Sequence, residues 1–282
     1  MNRVATFVIM GDSAAAGTGD ADRNGALRGW GYYLAQHFNQ PLVYANLSRP
    51  GAQSGEVFID QLPKALVLEP TLTAVIVGGN DALRNGFSPD VLRQNLRQTL
   101  KQLREVGSEI LLLQLHEPTS IAPLPKTLGK VLNRRINFVN AVTRAVGAEF
   151  GAHILAVRDI PGVYDRNRWH VDRMHPSKFG HQILAQNFRE ILAPRWDISP
   201  VALDPVTNRA KKDSILWMLR HATPWFLKRS VDLLPAALIL VMGEYIRMLT
   251  RRDKPAQGIL YFPEFVNNRE AALPQIQEAR VS

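Results

Sequence analysis

The sequence contains no cysteine. Disulfides, thiolate nucleophiles and cysteine-ligated zinc are excluded, so any covalent chemistry rests on a serine or a carboxylate. A bilayer-crossing run is missing too. The uncharged stretch from Leu233 to Gly243 is 11 residues long, carries Pro235, and is closed by Asp232 and Glu244, whereas a spanning helix needs about 20. The N-terminal MNRVATFVIM runs into Gly11-Asp12-Ser13 without a small-residue cleavage site, so it reads as a strand rather than a leader, and cytoplasmic residence is the default expectation. Acidic residues are few: 25 against 34 basic ones, a net charge of +9. That field favours anionic partners, yet zinc-finger spacing, an RNP-like aromatic run and a basic helix with interleaved aromatics are all lacking, so nucleic acid is not the expected partner. Repeats and low-complexity tracts are also absent, and a chain that is 46% apolar and 21% charged reads as globular.

What is present is an alternation. Apolar runs rich in branched residues occupy 5–10, 42–47, 73–78, 109–115 and 153–158, each followed by a helical pattern, which predicts a parallel sheet with helices on both faces. The clearest helix follows Ser88-Pro89-Asp90, with Val91, Leu92, Leu96, Leu100 and Leu103 as its apolar stripe and Gly107 as its end. Others are expected near 29–38, 55–68, 130–149 and 177–192. In an open sheet of this kind functional groups gather beyond the carboxyl ends of the strands. There the sequence delivers Gly11-Asp12-Ser13, NLSRPGAQSG, GGND and, after the fifth strand, DRMHPSKFGH.

These loops hold what a serine needs to attack an ester. A hydroxyl is a weak nucleophile near neutral pH, so a base must take its proton and a third group must orient that base. Asp172 and His175 are three apart, which lets carboxylate and imidazole project to one side and bond through Nδ1. The developing oxyanion needs fixed donors; Gly51 offers a bare backbone N–H, Asn80 a side-chain amide and Ser13 its own N–H. Each block also has a plain reading. Asp12 and Ser13 suit a strand-to-helix turn, Gly51 a turn after Pro50, Asn80-Asp81 a cap, and Asp172 with His175 an exposed pair. Other motifs fall short: His170, His175 and His181, with Asp172, are spaced by five and six without an HExxH; the serine of GAQSG sits one place late for a nucleophile elbow, leaving Ser54 as a helix cap; GTGDAD lacks the third glycine of a dinucleotide loop.

Taken together, Gly11-Asp12-Ser13, Gly51, Gly78-Gly79-Asn80-Asp81 and Asp172-Arg173-Met174-His175 resemble the four blocks of the SGNH hydrolases, the GDSL esterase/lipase family, in family order. The resemblance runs from about residue 5 to 192, with Ala14 standing where the family name expects Leu. It implies a three-layer α/β/α sandwich of flavodoxin-like type with a five-stranded parallel sheet. It further implies a catalytic Ser13, His175 and Asp172, an oxyanion hole of Ser13, Gly51 and Asn80, a small-molecule or lipid ester as substrate, and no cofactor or metal. The alternatives are acyl transfer to a sugar or lipid alcohol at the same site, and a membrane-associated scaffold whose rim is vestigial.

Beyond Trp196 the alternation stops. Residues 1–196 read as the hydrolase domain, 197–212 as a linker, 213–253 as an amphipathic helical appendage and 254–282 as an extension. Between Arg209 and Arg252 nine Lys/Arg face three Asp/Glu, interleaved with Trp217, Trp225 and Phe226. Two readings stay open for 213–252: peripheral contact with anionic lipid at the inner face of the membrane, or docking on the core or on a second copy. Oligomeric state is not legible.

Overall fold

A computed structural model describes residues 4–84, 86–121, 126–204 and 242. The chain divides into two units, Met1–Met242 and Gly243–Ser282, and every described residue lies in the first. The appendage and extension expected at 213–282 therefore fall outside the described residues, Met242 apart.

In chain order the elements are β1 (Ala5–Gly11), α1 (Ser13–Ala16), α2 (Gly29–Gln36), β2 (Leu42–Asn46) and α3 (Ser54–Glu56). α3 continues through a π-helical turn, Val57–Gln61, into α4 (Leu62–Val67). Then come β3 (Leu72–Ile76), α5 (Gly79–Leu83), α6 (Pro89–Glu105), β4 (Glu109–Gln114), α7 (Lys126–Glu149), β5 (His153–Ala156) and α8 (Lys178–Leu192). All five strands are parallel, in the order β2-β1-β3-β4-β5. Strand order reverses between β1 and β3, and the crevice beyond such a switch point is where ligands bind in open α/β sheets.

Period-two alternation along β1 builds both halves of the core. Phe7 and Ile9 face one layer, with Trp30 and Leu34 of α2 and Phe188 and Leu192 of α8; the Trp30 and Phe188 rings lie 4.5 Å apart. Val8 and Met10 face the other, with Val57, Leu62, the α6 leucines and Val139, Val142 and Val146 of α7. This is the three-layer α/β/α sandwich expected from the sequence.

On α6 the Ser88 hydroxyl caps Val91 N–H at 3.4 Å and Pro89 takes the first turn. Leu92, Leu96, Leu100 and Leu103 are buried, whereas Val91, read as part of the stripe, is 54% exposed; one residue before Leu92, it sits about 100° round the helix. Residues 197–204, read as the start of a linker, run along the domain. Ile198 and Val201 are buried, Arg189 Nε donates to Ile198 O at 3.0 Å and Asp204 N–H to Gln182 Oε1 at 3.1 Å.

The β1–β3 register pairs Gly11 with Ile76, so the two strands end level and Asp12 N–H donates to Ile76 O at 3.1 Å. Gly11 has φ +144°, and a Cβ there would sit 2.0 Å from Ile76 O. Only glycine permits β1 to leave the sheet at this point.

Candidate active site

Ser13 opens α1 directly beyond β1, behind its N-cap Asp12, whose Oδ1 accepts from Ala14 N–H at 3.0 Å. Its Oγ lies 2.8 Å from His175 Nε2. On the other side of the ring, Nδ1 lies 2.9 Å from Asp172 Oδ2. A carboxylate facing Nδ1 fixes the proton there and leaves Nε2 as the acceptor for the serine hydroxyl.

The three-residue spacing of Asp172 and His175 is closed by a tight loop rather than a helix. Trp169 and Pro176 form a bridge, His170 N–H donates to His175 O at 2.8 Å, and Arg173 N–H to His170 O at 3.0 Å. Arg173 takes the left-handed conformation, φ +59°. Asp172 Oδ1 accepts from Met174 N–H at 2.9 Å and His175 N–H at 3.1 Å, leaving Oδ2 for the rings. Burial pushes the Asp172 carboxyl up, but contacts with His170 and His175 and the charge on His175 outweigh it and hold it far below the usual carboxylate range.

Two further histidines flank this loop. His116, just past β4, packs against Trp169 with ring centroids 4.3 Å apart, and burial, with Arg158 and His175 nearby, pushes it down to about 4. His181 is fully buried; its Nδ1 accepts from Trp30 N–H at 3.3 Å and its Nε2 donates to Thr18 O at 3.0 Å. Burial pushes it down to about 4 as well. With both nitrogens on backbone partners, His181 ties α8 to α2 and to the turn after α1 and offers nothing to a metal. Among the described residues no group of three or more His, Asp or Glu is arranged to hold one.

The donor candidates lie on three loops, two of them linked by Asn80. Gly51, at φ +88°, lies in the loop after β2. Its N–H and that of Ser13 have no protein acceptor among the described residues. Asn80, inside α5 rather than capping it, donates from Nδ2 to Ala52 O at 3.2 Å and, more weakly, to Asp12 Oδ2 at 3.4 Å. Asn80 thus links the Gly51 loop to the Ser13 loop. Asp12 is 5% exposed, and burial pushes its carboxyl up to about 6 against the opposing Ala14 N–H bond.

Several supporting residues have no counterpart in the motifs. Gln61, on the π-turn, accepts from Gly11 N–H at 2.7 Å and donates to Gly11 O at 3.0 Å; π-turns concentrate at functional sites. Asn140 of α7 clamps Leu115 in the same way, N–H to Oδ1 at 2.7 Å and Nδ2 to O at 2.9 Å. Ser54 is not the helix cap: Gln53 is, in a capping box with Glu56, while the Ser54 hydroxyl donates to Asp81 Oδ1 at 2.6 Å and accepts from Asn95 Nδ2 at 3.1 Å. A cavity of about 400 Å³ lies beside this cluster, lined by Ser54, Glu56, Ile59, Asp81 and Asn95 among others; Ser13 and His175 do not line it.

The profile of the GDSL-like lipase/acylhydrolase family matches residues 9–183. The chain belongs to that family. Among curated relatives of this GDSL-like hydrolase is thioesterase 1/protease 1/lysophospholipase L1 of Escherichia coli K12, 29% identical over 193 residues that cover 67% of this chain and 84% of the relative. The crystal structure of TesA superposes with a TM-score of 0.54 at 28% identity, over 67% of this chain and 98% of that one. A variant of an acetyl-xylooligosaccharide esterase from Geobacillus superposes at 0.55 and 17% identity, over 74% and 100% of the two chains, and this likeness speaks to the fold. The GDSL-like hydrolase is accordingly an enzyme acting on ester bonds. Among its described residues no helix is long and apolar enough to cross a membrane.

Proposed function

We propose that this GDSL-like hydrolase cleaves carboxylic esters through an acyl-enzyme on Ser13, with His175 as general base, Asp172 as its partner, and the Ser13 N–H, Gly51 N–H and Asn80 Nδ2 as oxyanion donors. The observation that carries the reading is the unbroken relay from Ser13 Oγ to His175 Nε2 at 2.8 Å and from His175 Nδ1 to Asp172 Oδ2 at 2.9 Å. Ser13 Oγ adds to the carbonyl carbon while Nε2 takes its proton. The new oxyanion meets donors already in position, and donation from Asn80 replaces its long bond to Asp12. The intermediate then expels the alkoxide, which takes the proton from Nε2. Water repeats the sequence on the acyl-serine, and the acid leaves. Each step uses side chains and backbone of this chain, and no cofactor enters. The name of the Escherichia coli relative points to thioesters and lysophospholipids as classes to try first.

Ser13→Ala is the test. With a panel of p-nitrophenyl esters of rising chain length, turnover should fall by at least a thousandfold, and labelling by a fluorophosphonate should be lost. Unchanged turnover in the variant overturns the assignment. Absence of both labelling and turnover in the wild type favours a vestigial site, and a rate that rises with added alcohol, yielding a new ester, turns the reading toward acyl transfer.

A further inference from the structure

We infer that His170 is a positioning residue which shares the Asp172 carboxylate with His175 and thereby couples its own charge to the activity of Ser13. The inference rests on the proposed roles of Ser13 and His175 and extends them to a residue outside the four sequence blocks. The decisive geometry is on one oxygen. Asp172 Oδ1 is taken by the Met174 and His175 backbone N–H groups, so only Oδ2 remains for side chains. Both imidazoles address it, His175 Nδ1 at 2.9 Å and His170 Nδ1 at 3.1 Å, with all three side chains at most 17% exposed. The His170 contact is that of an ion pair, one that strengthens when His170 is charged. The His170 N–H to His175 O bond and the Trp169–Pro176 bridge hold the two histidines together.

The consequence follows from charge. As His175 accepts the serine proton it becomes an imidazolium and needs Asp172 as counter-charge. A protonated His170 claims part of that carboxylate and adds a second positive charge close by, so catalysis requires His170 neutral. Histidine is the side chain whose charge ordinarily changes between pH 5 and 8, so the acid limb of the activity profile is where a coupling of this kind is read. Asp12, His116 and His181 interact electrostatically with the pair, and Arg173 lies in the same loop. His116 and His181 are kept neutral by burial down to about pH 4. Asp12, pushed to about 6, titrates in the same range.

The experiment is the pH profile of kcat/KM for the intact wild-type chain and for His170→Asn, which keeps an N–H near the position of Nδ1 but cannot titrate. Because Asp12 is present in both proteins, the difference between them is the readout. The slope of the acid limb should fall by about one in the variant. An unaltered slope and midpoint overturns the inference. A side chain acting only as structural filler would lower kcat at every pH without changing the slope. Should His170→Asn fail to fold, ¹⁵N-histidine NMR titration of the Ser13→Ala protein replaces it: mutually perturbed, two-step titrations of His170 and His175 support sharing, and two independent single steps refute it. The NMR arm does not depend on turnover, so a failure of the Ser13 assignment, seen in the Ser13→Ala assay, stays distinguishable from a failure of the coupling.

Discussion

Acidification from pH 7 to 4 should draw opposite stability changes from two buried groups beside the site, and single substitutions should expose each. Burial pushes His181 from its ordinary value of 6.5 down to about 4. Below pH 6.5 the unfolded chain takes up a proton that the native state refuses, so stability falls as pH drops, by about 3 kcal/mol at 1.36 kcal/mol per unit. Asp12 does the reverse. Its carboxyl is raised from 3.8 to about 6, so the native state binds a proton first and stability rises across the same window by about 3 kcal/mol. Asp81 is also raised by burial and has the sign of Asp12; His116 has the sign of His181. Asp172, held far below its ordinary value, loses its contribution only below about pH 4. Asp12→Asn keeps an acceptor for Ala14 N–H but cannot titrate; relative to wild type it should lose about 3 kcal/mol between pH 7 and 4, and gain up to that much at pH 7. His181→Gln should drift the other way, gaining about 3 kcal/mol on wild type as pH falls, from a lower starting stability because a backbone partner at Trp30 or Thr18 is stranded. Urea unfolding at pH 7, 6, 5 and 4, compared at constant m-value, measures both. If Asp12→Asn and wild type ran parallel, the assignment of the offset to these two side chains would be wrong.

The supporting and oxyanion residues give two shorter tests. Gln61→Leu strands the buried N–H and C=O of Gly11 and should cost about 2–4 kcal/mol in urea unfolding, with a fall in kcat because Ser13 follows two residues later; a stability loss with kcat intact would show that Ser13 does not depend on this clamp. Asn80→Ala should lower kcat on a p-nitrophenyl ester by about 10²–10³ with little change in KM; a change confined to KM would place Asn80 in ground-state binding instead.

The three central strands were legible because parallel strands buried on both faces read as continuous apolar runs. β1 is interior along its length from Thr6 onward, and the expected run at 5–10 stops one residue short of its observed end. The order of strands and the level ends of β1 and β3 were not legible, since register lives in pairing rather than in composition. At the site, Gly51, Asn80 and His175 sit next to glycine or proline, and Ser13 and Asp172 lie in the same short motifs, so they stand out in sequence. The residues that hold them do not. Gln61 and Asn140 are single amides on otherwise apolar helix faces, between Val57 and Leu62 and beside Val139; a polar residue at a core position was their only signal. His170 was visible as a histidine, but its claim on Asp172 depends on the left-handed turn at Arg173, which no spacing rule anticipates.

The same supporting residues explain how loops can hold atoms at catalytic distances. A loop carries free backbone polar groups and ordinarily moves more than the elements it joins. Here three of the polar loops are fastened at the root by a side chain from elsewhere: Gly11 by Gln61, Leu115 by Asn140, the Gly51 loop through Ala52 O by Asn80 and at Ser54 by Asp81. The histidine loop is fastened by Trp169 Nε1 on Val163 O at 2.6 Å. A bond between two buried groups resists breaking because opening it strands a donor and an acceptor away from water. Four such roots at one sheet edge make the loops behave as extensions of the strands, the condition for donors to be in place before charge develops on the substrate. A clamp of this kind adds little to net stability when intact and takes much away when broken, which is why substitutions at Gln61 and Asn140 should be felt at Ser13 and Leu115 rather than only in the melting of the whole fold.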